Sequence, residues 1–90
     1  MDADMNVATQ MSREDEIAAW CAAYIGRVLN IAPTEIQLDD EIERFGLDSA
    51  ITTSMLIDLE EWLAVEISPA VLFEQSTLRG IASAVAALLN

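Results

Sequence analysis

Apolar residues recur at three- and four-residue steps between residues 17 and 29, and this spacing restricts the fold more than any other feature. Residues spaced in this way share one face of an α-helix, which is stable when buried against other elements. Ser12 is a residue type that caps helix N-termini, while Asn30 and Pro33 are suited to ending a helix. We therefore predict an amphipathic helix with an apolar stripe formed by Ile17, Trp20, Cys21, Tyr24, Ile25, Val28 and Leu29.

Three later segments carry similar helix signals. Asp48 or Ser49 can cap a second helix with a buried stripe, and Pro69 suits the first turn of a short third helix that ends near Phe73. Thr77 can cap a last helix. The expected stripe of the second helix contains Met55, Leu56, Leu59 and Leu63, and that of the last helix contains Leu78, Ile81, Ala82, Val85, Leu88 and Leu89.

The connection between the first two helices, residues 30–47, is long and has no sustained period. Its spaced apolar residues favour a loop that is packed by its own side chains: Ile31, Ile36, Leu38, Ile42 and Phe45. We predict an all-α fold, a four-helix bundle with three main helices, a short third helix and this long loop between helices one and two. Residues 1–11 are expected to be a disordered leader, and residues 12–90 one domain.

The residue inventory disfavours several kinds of function. The chain has 90 residues, no His, one Cys and a formal net charge of −12. It cannot assemble a Ser-His-Asp or Cys-His nucleophile, an internal disulfide or a zinc site of the usual ligands. Acidity disfavours nucleic acid and anionic membranes, and no apolar run approaches the roughly 20 residues of a membrane span. We expect a cytoplasmic protein that is not an enzyme and binds no nucleic acid, membrane or metal.

The negative charge is concentrated around one serine. Residues 39–66 contain nine acidic residues against Arg44, a net charge of −8. Ser49 lies in this stretch at a predicted helix start, where free N–H groups and the helix dipole favour an anion such as a phosphate on its hydroxyl. From the residue types alone, Asp48 and Ser49 can also be simple caps, and the acidic helix a solvated face. The same charge can steer basic partners toward this surface.

The segment around Ser49 resembles the acyl carrier protein family, whose signature is Gly-x-Asp-Ser followed by an amphipathic helix with a Leu-Glu pair. The likeness extends over about residues 14–89, and the segment 67–77 resembles carrier domains of modular polyketide synthases. Ala50 departs from the family, which commonly has Leu after the serine. The residues that carry the resemblance are Gly46-Leu47-Asp48-Ser49 and Leu59-Glu60, with Val28-Leu29-Asn30, Pro33, Ile36, Asp39 and Phe45 upstream.

This resemblance implies a cofactor and partners. Ser49 would receive 4′-phosphopantetheine from coenzyme A, and the thiol of that arm would carry acyl or polyketide intermediates as thioesters in polyketide or fatty acid biosynthesis. Asp48 would assist the phosphopantetheinyl transferase or its metal. The second helix of this monomer would dock the transferase and the acyl-loading, condensing and tailoring enzymes through their basic surfaces. The expected contact residues are Leu47, Asp48, Ala50, Ile51, Ile57, Asp58, Glu60 and Glu61.

Two alternative functions stay open from the sequence. A peptidyl carrier of a nonribosomal peptide synthetase would differ in the enzymes that load it. An acidic helical adaptor for basic proteins would need no cofactor. Trp62 is expected in the core rather than as an exposed docking ring. Met55 stands where carriers specialised for β-branching have Trp, so that specialisation is not predicted.

Overall fold

The computed structural model describes residues 12–89, and this part of the chain contains four α-helices. Two 3₁₀ helices, Pro33–Glu35 and Ile42–Phe45, lie between the first and second of them. The predicted all-α bundle with a short third helix is confirmed, whereas the predicted leader, residues 1–11, lies outside the described residues. The helices are α1 (Arg13–Leu29), α2 (Ser49–Leu63), α3 (Ala70–Glu74) and α4 (Leu78–Leu88).

Side-chain caps begin the long helices at the predicted positions. The Ser12 hydroxyl accepts a hydrogen bond from the backbone N–H of Asp15 at 3.1 Å, and the Thr77 hydroxyl accepts one from Gly80 at 3.0 Å. Each cap satisfies one of the N–H groups that a helix start leaves without a partner. Asn30 ends α1 in a left-handed conformation with φ of 62°, which Asn tolerates better than most residues.

The core lies between α1, α2 and α4, and α1 packs extensively on α4. Burying one such large aliphatic side chain contributes about 1.5–3 kcal/mol to folding. Among residues 12–89, no polar or charged side chain is buried in this core. Its fully buried large side chains are Ile17, Cys21, Ile25, Met55, Leu59, Leu78, Ile81 and Val85.

The long loop between α1 and α2 is packed against the bundle, as predicted. Ile36 is buried, and Leu38, Ile42 and Phe45 are partly buried against the core. Two backbone hydrogen bonds tie the loop to the region between α3 and α4: the Ile42 N–H donates to Ser76 at 2.8 Å, and the Arg79 N–H donates to Leu38 at 3.1 Å. Ile31 is more exposed than we predicted.

Three other apolar side chains are less buried than predicted. Leu88 is 54% exposed because it lies in the last turn of α4, where it borders an open groove beside Ala64 and Pro69. Trp62 is 46% exposed, so the predicted core position is wrong; its ring lies beside Trp20 of α1 at the surface. Val28, near the end of α1, is exposed as well. Within residues 12–89, no helix has the length and apolar character that a bilayer crossing requires.

Candidate functional site

Ser49 is the first residue of α2, and it is exposed. The chain reaches this position through Gly46, which follows the second 3₁₀ helix with a φ of 71°. This left-handed conformation strains residues that have a Cβ atom, so glycine is suited to the turn. The local sequence therefore places the Ser49 hydroxyl on the surface at the positive end of a helix dipole.

Asp48, rather than Ser49, caps the N-terminus of α2; the sequence left both residues as candidates. Its carboxylate oxygen Oδ1 accepts a hydrogen bond from the Ile51 N–H at 2.9 Å. Thr52 strengthens the same turn, because its hydroxyl donates to the Ser49 carbonyl at 3.1 Å. The structure thus assigns the cap to Asp48, and the Ser49 hydroxyl is not needed to start the helix.

A cleft of about 410 Å³ opens beside Ser49. Its position next to an exposed hydroxyl allows a flexible group attached at Ser49 to enter it. No pattern in the sequence indicates this space, because its walls come from segments that are far apart in the chain. The apolar lining is formed by Ile42, Leu47, Leu72 and Phe73, and the polar lining by Glu41, Glu43, Asp48, Ser49, Thr52, Gln75 and Ser76.

The residues predicted to contact partners lie together on α2 and just before it. Asp48, Ala50, Ile57, Asp58 and Glu61 are exposed. Leu47 and Ile51 are partly buried, as is Glu60. These positions are compatible with a docking surface, and their role in docking stays a prediction.

Glu60 has a structural contact that was not predicted from the sequence. Its Oε2 atom accepts a hydrogen bond from the backbone N–H of Ile67 at 2.6 Å. This bond spans the turn that follows Ala64, the left-handed residue at the end of α2. A helical spacing rule does not reveal a contact seven residues away, so no simple pattern in the sequence indicated it. Glu60 therefore stabilises the α2–α3 connection, whatever its part in docking.

Within residues 12–89, no cationic side chain pairs with the carboxylates of α2. Among the residues that the structure describes, Asp58 and Glu61 form no salt bridge. By contrast, Arg79 lies within 3.9 Å of acidic oxygens of Glu14, Asp15 and Asp39. The negative field around α2 is therefore available to attract a basic surface.

Cys21 is remote from this chemistry. It is fully buried in the core, as predicted, and burial raises the pKa of its thiol from 9.0 to about 12. The thiol is therefore neutral near pH 7 and is not an activated nucleophile. No group of three or more Cys, Asp or Glu side chains within residues 12–89 has the arrangement of a metal site.

The family of the chain follows from a sequence match that includes the Ser49 turn. A family model described as "Phosphopantetheine attachment site" matches residues 19–85. The chain belongs to the phosphopantetheine attachment site family. It is thus a carrier protein, and its cofactor is covalently attached 4′-phosphopantetheine. Carrier proteins of this family interact with a phosphopantetheinyl transferase and with biosynthetic enzymes. The alternative of an adaptor without a cofactor is therefore not supported.

Individual relatives agree with this assignment. The acyl carrier protein TtuC of Teredinibacter turnerae is 30% identical over 73 residues, which are 81% of this carrier and 84% of TtuC. The polyketide synthase PksL of Bacillus subtilis is 27% identical over 67 residues, which are 74% of this carrier but only 2% of PksL. The predicted resemblance to acyl carriers of the polyketide type is confirmed at the level of the family.

A solved structure supports the fold independently. A free-standing peptidyl carrier protein from an uncharacterised secondary metabolic pathway of Acinetobacter baumannii superposes on this carrier with a TM-score of 0.77. The match covers 86% of this chain and 96% of the other at 23% sequence identity. At that identity the likeness shows the helical carrier fold alone.

Proposed function

We propose that Ser49 holds the 4′-phosphopantetheine arm and that this carrier presents polyketide intermediates to its partner enzymes. The observation that carries the proposal is the position of Ser49 as the exposed first residue of α2, with the cap supplied by Asp48. The cleft beside Ser49 adds support, since it leaves room for a flexible attached group. The turn Gly46-Leu47-Asp48-Ser49 also has the residue types that the family places at its attachment site.

The residues around Ser49 fit a phosphate on its hydroxyl. The positive end of α2 favours the phosphate charge, and the first N–H groups of the helix have no partner within it. The Asp48 carboxylate accepts a hydrogen bond from the Ile51 N–H and so stabilises the turn. Its second oxygen can attract a cation of the transferase. When bound, the arm supplies a thiol that carries the acyl group as a thioester. The protein contributes the tether point, the adjacent cleft and the acidic surface.

The partners are proposed from the charge of this surface. Asp58 and Glu61 attract basic patches on the transferase and on the acyl-loading, condensing and tailoring enzymes, while Ile57 and Ala50 add exposed apolar contacts. We propose that the protein works as a cytoplasmic monomer and leaves catalysis to these enzymes. The buried single thiol fits a reducing compartment, where disulfides are rare.

A polyketide pathway is favoured over a peptide pathway by the relatives at the sequence level. TtuC is named an acyl carrier protein and PksL a polyketide synthase, whereas the peptidyl carrier from A. baumannii shares the fold. Loading assays separate the two: an acyltransferase or ligase for acyl groups should load this carrier, and adenylation domains for amino acids should not.

The attachment is tested by intact-protein mass. The chain is incubated with coenzyme A, Mg²⁺ and a broad-specificity phosphopantetheinyl transferase, and one phosphopantetheine increment is expected. Ser49→Ala should gain none. Ser54→Ala is the matched control, because Ser54 is also an exposed serine of α2, and it should gain the increment at the wild-type rate. An increment on Ser49→Ala, or none on the wild type with several transferases, overturns the proposal.

A further inference from the structure

Three aromatic rings form a continuous stack at the surface where α1 meets α2. The ring centroids of Trp20 and Trp62 are 5.6 Å apart with planes within 10°, and those of Trp20 and Tyr24 are also 5.6 Å apart, at 25°. We call Trp20, Tyr24 and Trp62 the aromatic ridge. The guanidinium of Arg27 lies over Tyr24, 5.7 Å from the ring centroid. One end of the ridge therefore already binds a guanidinium within the chain.

Trp62 leaves the ridge open to solvent at its other end. Its side chain is nearly half exposed, whereas Trp20 and Tyr24 are partly buried. An exposed indole that is held rigid by stacking has little conformational entropy to lose when a partner binds. Trp and Tyr are for this reason frequent among the residues that dominate protein interfaces.

The aromatic ridge is separate from the tether point. Trp62 follows Ser49 by thirteen residues on the same helix, which is about 20 Å along the helix axis at 1.5 Å per residue. A partner on the ridge would therefore leave Ser49 accessible. The inference does not depend on Ser49 being the attachment site.

Charges around the ridge indicate the chemistry of the partner. Asp58 lies one helical turn before Trp62, and Glu61 precedes Trp62 in the sequence; both are exposed, and neither forms a salt bridge within residues 12–89. Ring faces and carboxylates both attract guanidinium groups. A second copy of this chain is a poor partner, because each copy carries a net charge of −12.

We propose that the aromatic ridge is a second docking surface, which binds an arginine-bearing amphipathic helix of a partner protein. An arginine of that helix stacks on the exposed face of Trp62, as Arg27 does on Tyr24. Its neighbouring basic residues pair with Asp58 and Glu61, and its apolar side covers the edge of the indole. This surface shares Asp58 and Glu61 with the proposed docking surface of the biosynthetic enzymes, whereas Ser49 itself stays uncovered.

The test uses synthetic helical peptides of Leu and Arg, with twins in which every Arg is replaced by Lys. The full chain is titrated with each peptide while indole fluorescence and the NMR signals of the Trp20 and Trp62 ring N–H groups are recorded. The Arg peptide should shift both signals and bind more tightly than its Lys twin. Trp62→Leu, which keeps an apolar side chain but removes the ring, should weaken Arg-peptide binding by about fivefold or more.

Phe73→Leu is the matched control, because Phe73 is an aromatic residue 88% exposed on α3, outside the ridge. It should bind the Arg peptide like the wild type. Equal binding of both peptides, unchanged binding by Trp62→Leu, or shifts confined to the start of α2 would overturn the inference, as would self-association of the free chain through the ridge in sedimentation. Should Trp62→Leu melt early, Trp62→Met replaces it, because Met is a long apolar side chain without a ring. Transfer of the arm to Trp62→Leu, measured by mass, reports on the proposed function separately.

Discussion

Asp48 and Ser49 are adjacent residues whose roles separate in the structure. The Asp48 carboxylate accepts from the Ile51 N–H at 2.9 Å, so it stabilises the start of α2 even before any partner is considered. Its negative charge is a further property, which we propose the transferase uses. The cap needs an acceptor oxygen, while the second role needs the charge, so two substitutions distinguish them.

Asp48→Asn retains an acceptor and removes the charge. We expect its free energy of unfolding to stay within about 0.5 kcal/mol of the wild type, because Asn caps helices as well as Asp does. Asp48→Ala loses the acceptor and should lose about 1 kcal/mol, measured by urea unfolding. Both should slow arm transfer at low transferase concentration. Wild-type transfer rates for Asp48→Asn would show that the charge has no role with the transferase.

Glu60 and Glu61 are neighbours that also allow a matched comparison. Glu60 accepts from the Ile67 N–H at 2.6 Å, whereas Glu61 is exposed and forms no salt bridge within residues 12–89. Glu60→Ala should lower the free energy of unfolding by about 1.5 kcal/mol, since hydrogen bonds to charged groups are among the stronger ones. Glu61→Ala should change it by less than about 0.5 kcal/mol. Equal losses in chemical denaturation would contradict the structural role of Glu60.

At the scale of elements, Arg79 connects the long loop to two helices, in addition to the packing of the loop's own apolar residues. The Arg79 N–H donates to the Leu38 carbonyl, and its guanidinium lies 3.3 Å from a carboxylate oxygen of Asp39 and within 3.9 Å of Glu14 and Asp15. This one residue therefore connects the start of α4 with the loop and the start of α1. The loop in turn forms one wall of the cleft beside Ser49.

Replacing Arg79 by Gln should loosen the loop selectively. Each of these partly exposed ion pairs contributes up to about 1 kcal/mol, so we expect a total loss near 1 kcal/mol and faster hydrogen exchange at the Ile42 N–H. Exchange in the centre of α2 should change much less. Arg13→Gln is the control, because the Arg13 guanidinium pairs with Glu16 on the same helix. Equal exchange at Ile42 in both variants would argue against the connection.

The elements that were predicted well from the sequence are those that depend on contacts between residues close together in the chain. Helical spacing and the caps Ser12, Asp48 and Thr77 determine where the long helices begin, because each cap contacts a residue three positions ahead. The two 3₁₀ helices were not predicted, since segments of three or four residues are too short to show a period. Trp62 was wrongly predicted to lie in the core, because the spacing of apolar residues within α2 does not show where α1 packs against it. The cleft beside Ser49 was missed for the same reason: its walls meet through tertiary packing.

At the scale of the whole molecule, the burial of Cys21 makes the free energy of unfolding depend on pH. Burial raises the pKa of the Cys21 thiol from its ordinary value of 9.0 to about 12, so folding favours the neutral thiol. The neutral buried thiol therefore makes its full contribution to the free energy of unfolding below pH 9. This contribution is lost as the pH rises from 9 toward 12, at up to about 1.4 kcal/mol per pH unit. Urea unfolding of Cys21→Ala should lack this dependence; the same slope in that variant would refute the assignment.

The net charge of −12 is distributed unevenly over the folded molecule. Its largest share lies around α2 and the loop before it, at the surface that presents Ser49. The chain contains no imidazole, and its one thiol is buried and neutral near pH 7. The phosphopantetheine arm supplies a reactive thiol when it is attached. The central claim is therefore that the arm is attached at Ser49.

The position of the arm is read most directly by fragmenting the modified protein in a mass spectrometer. Trypsin cleaves after Arg44 and Arg79, and the peptide between them contains Ser49, Ser54, Ser68 and Ser76. We predict that the fragments place a single phosphopantetheine on Ser49. An arm located on any other serine, or a peptide that stays unmodified while the intact protein gains mass, would contradict the account.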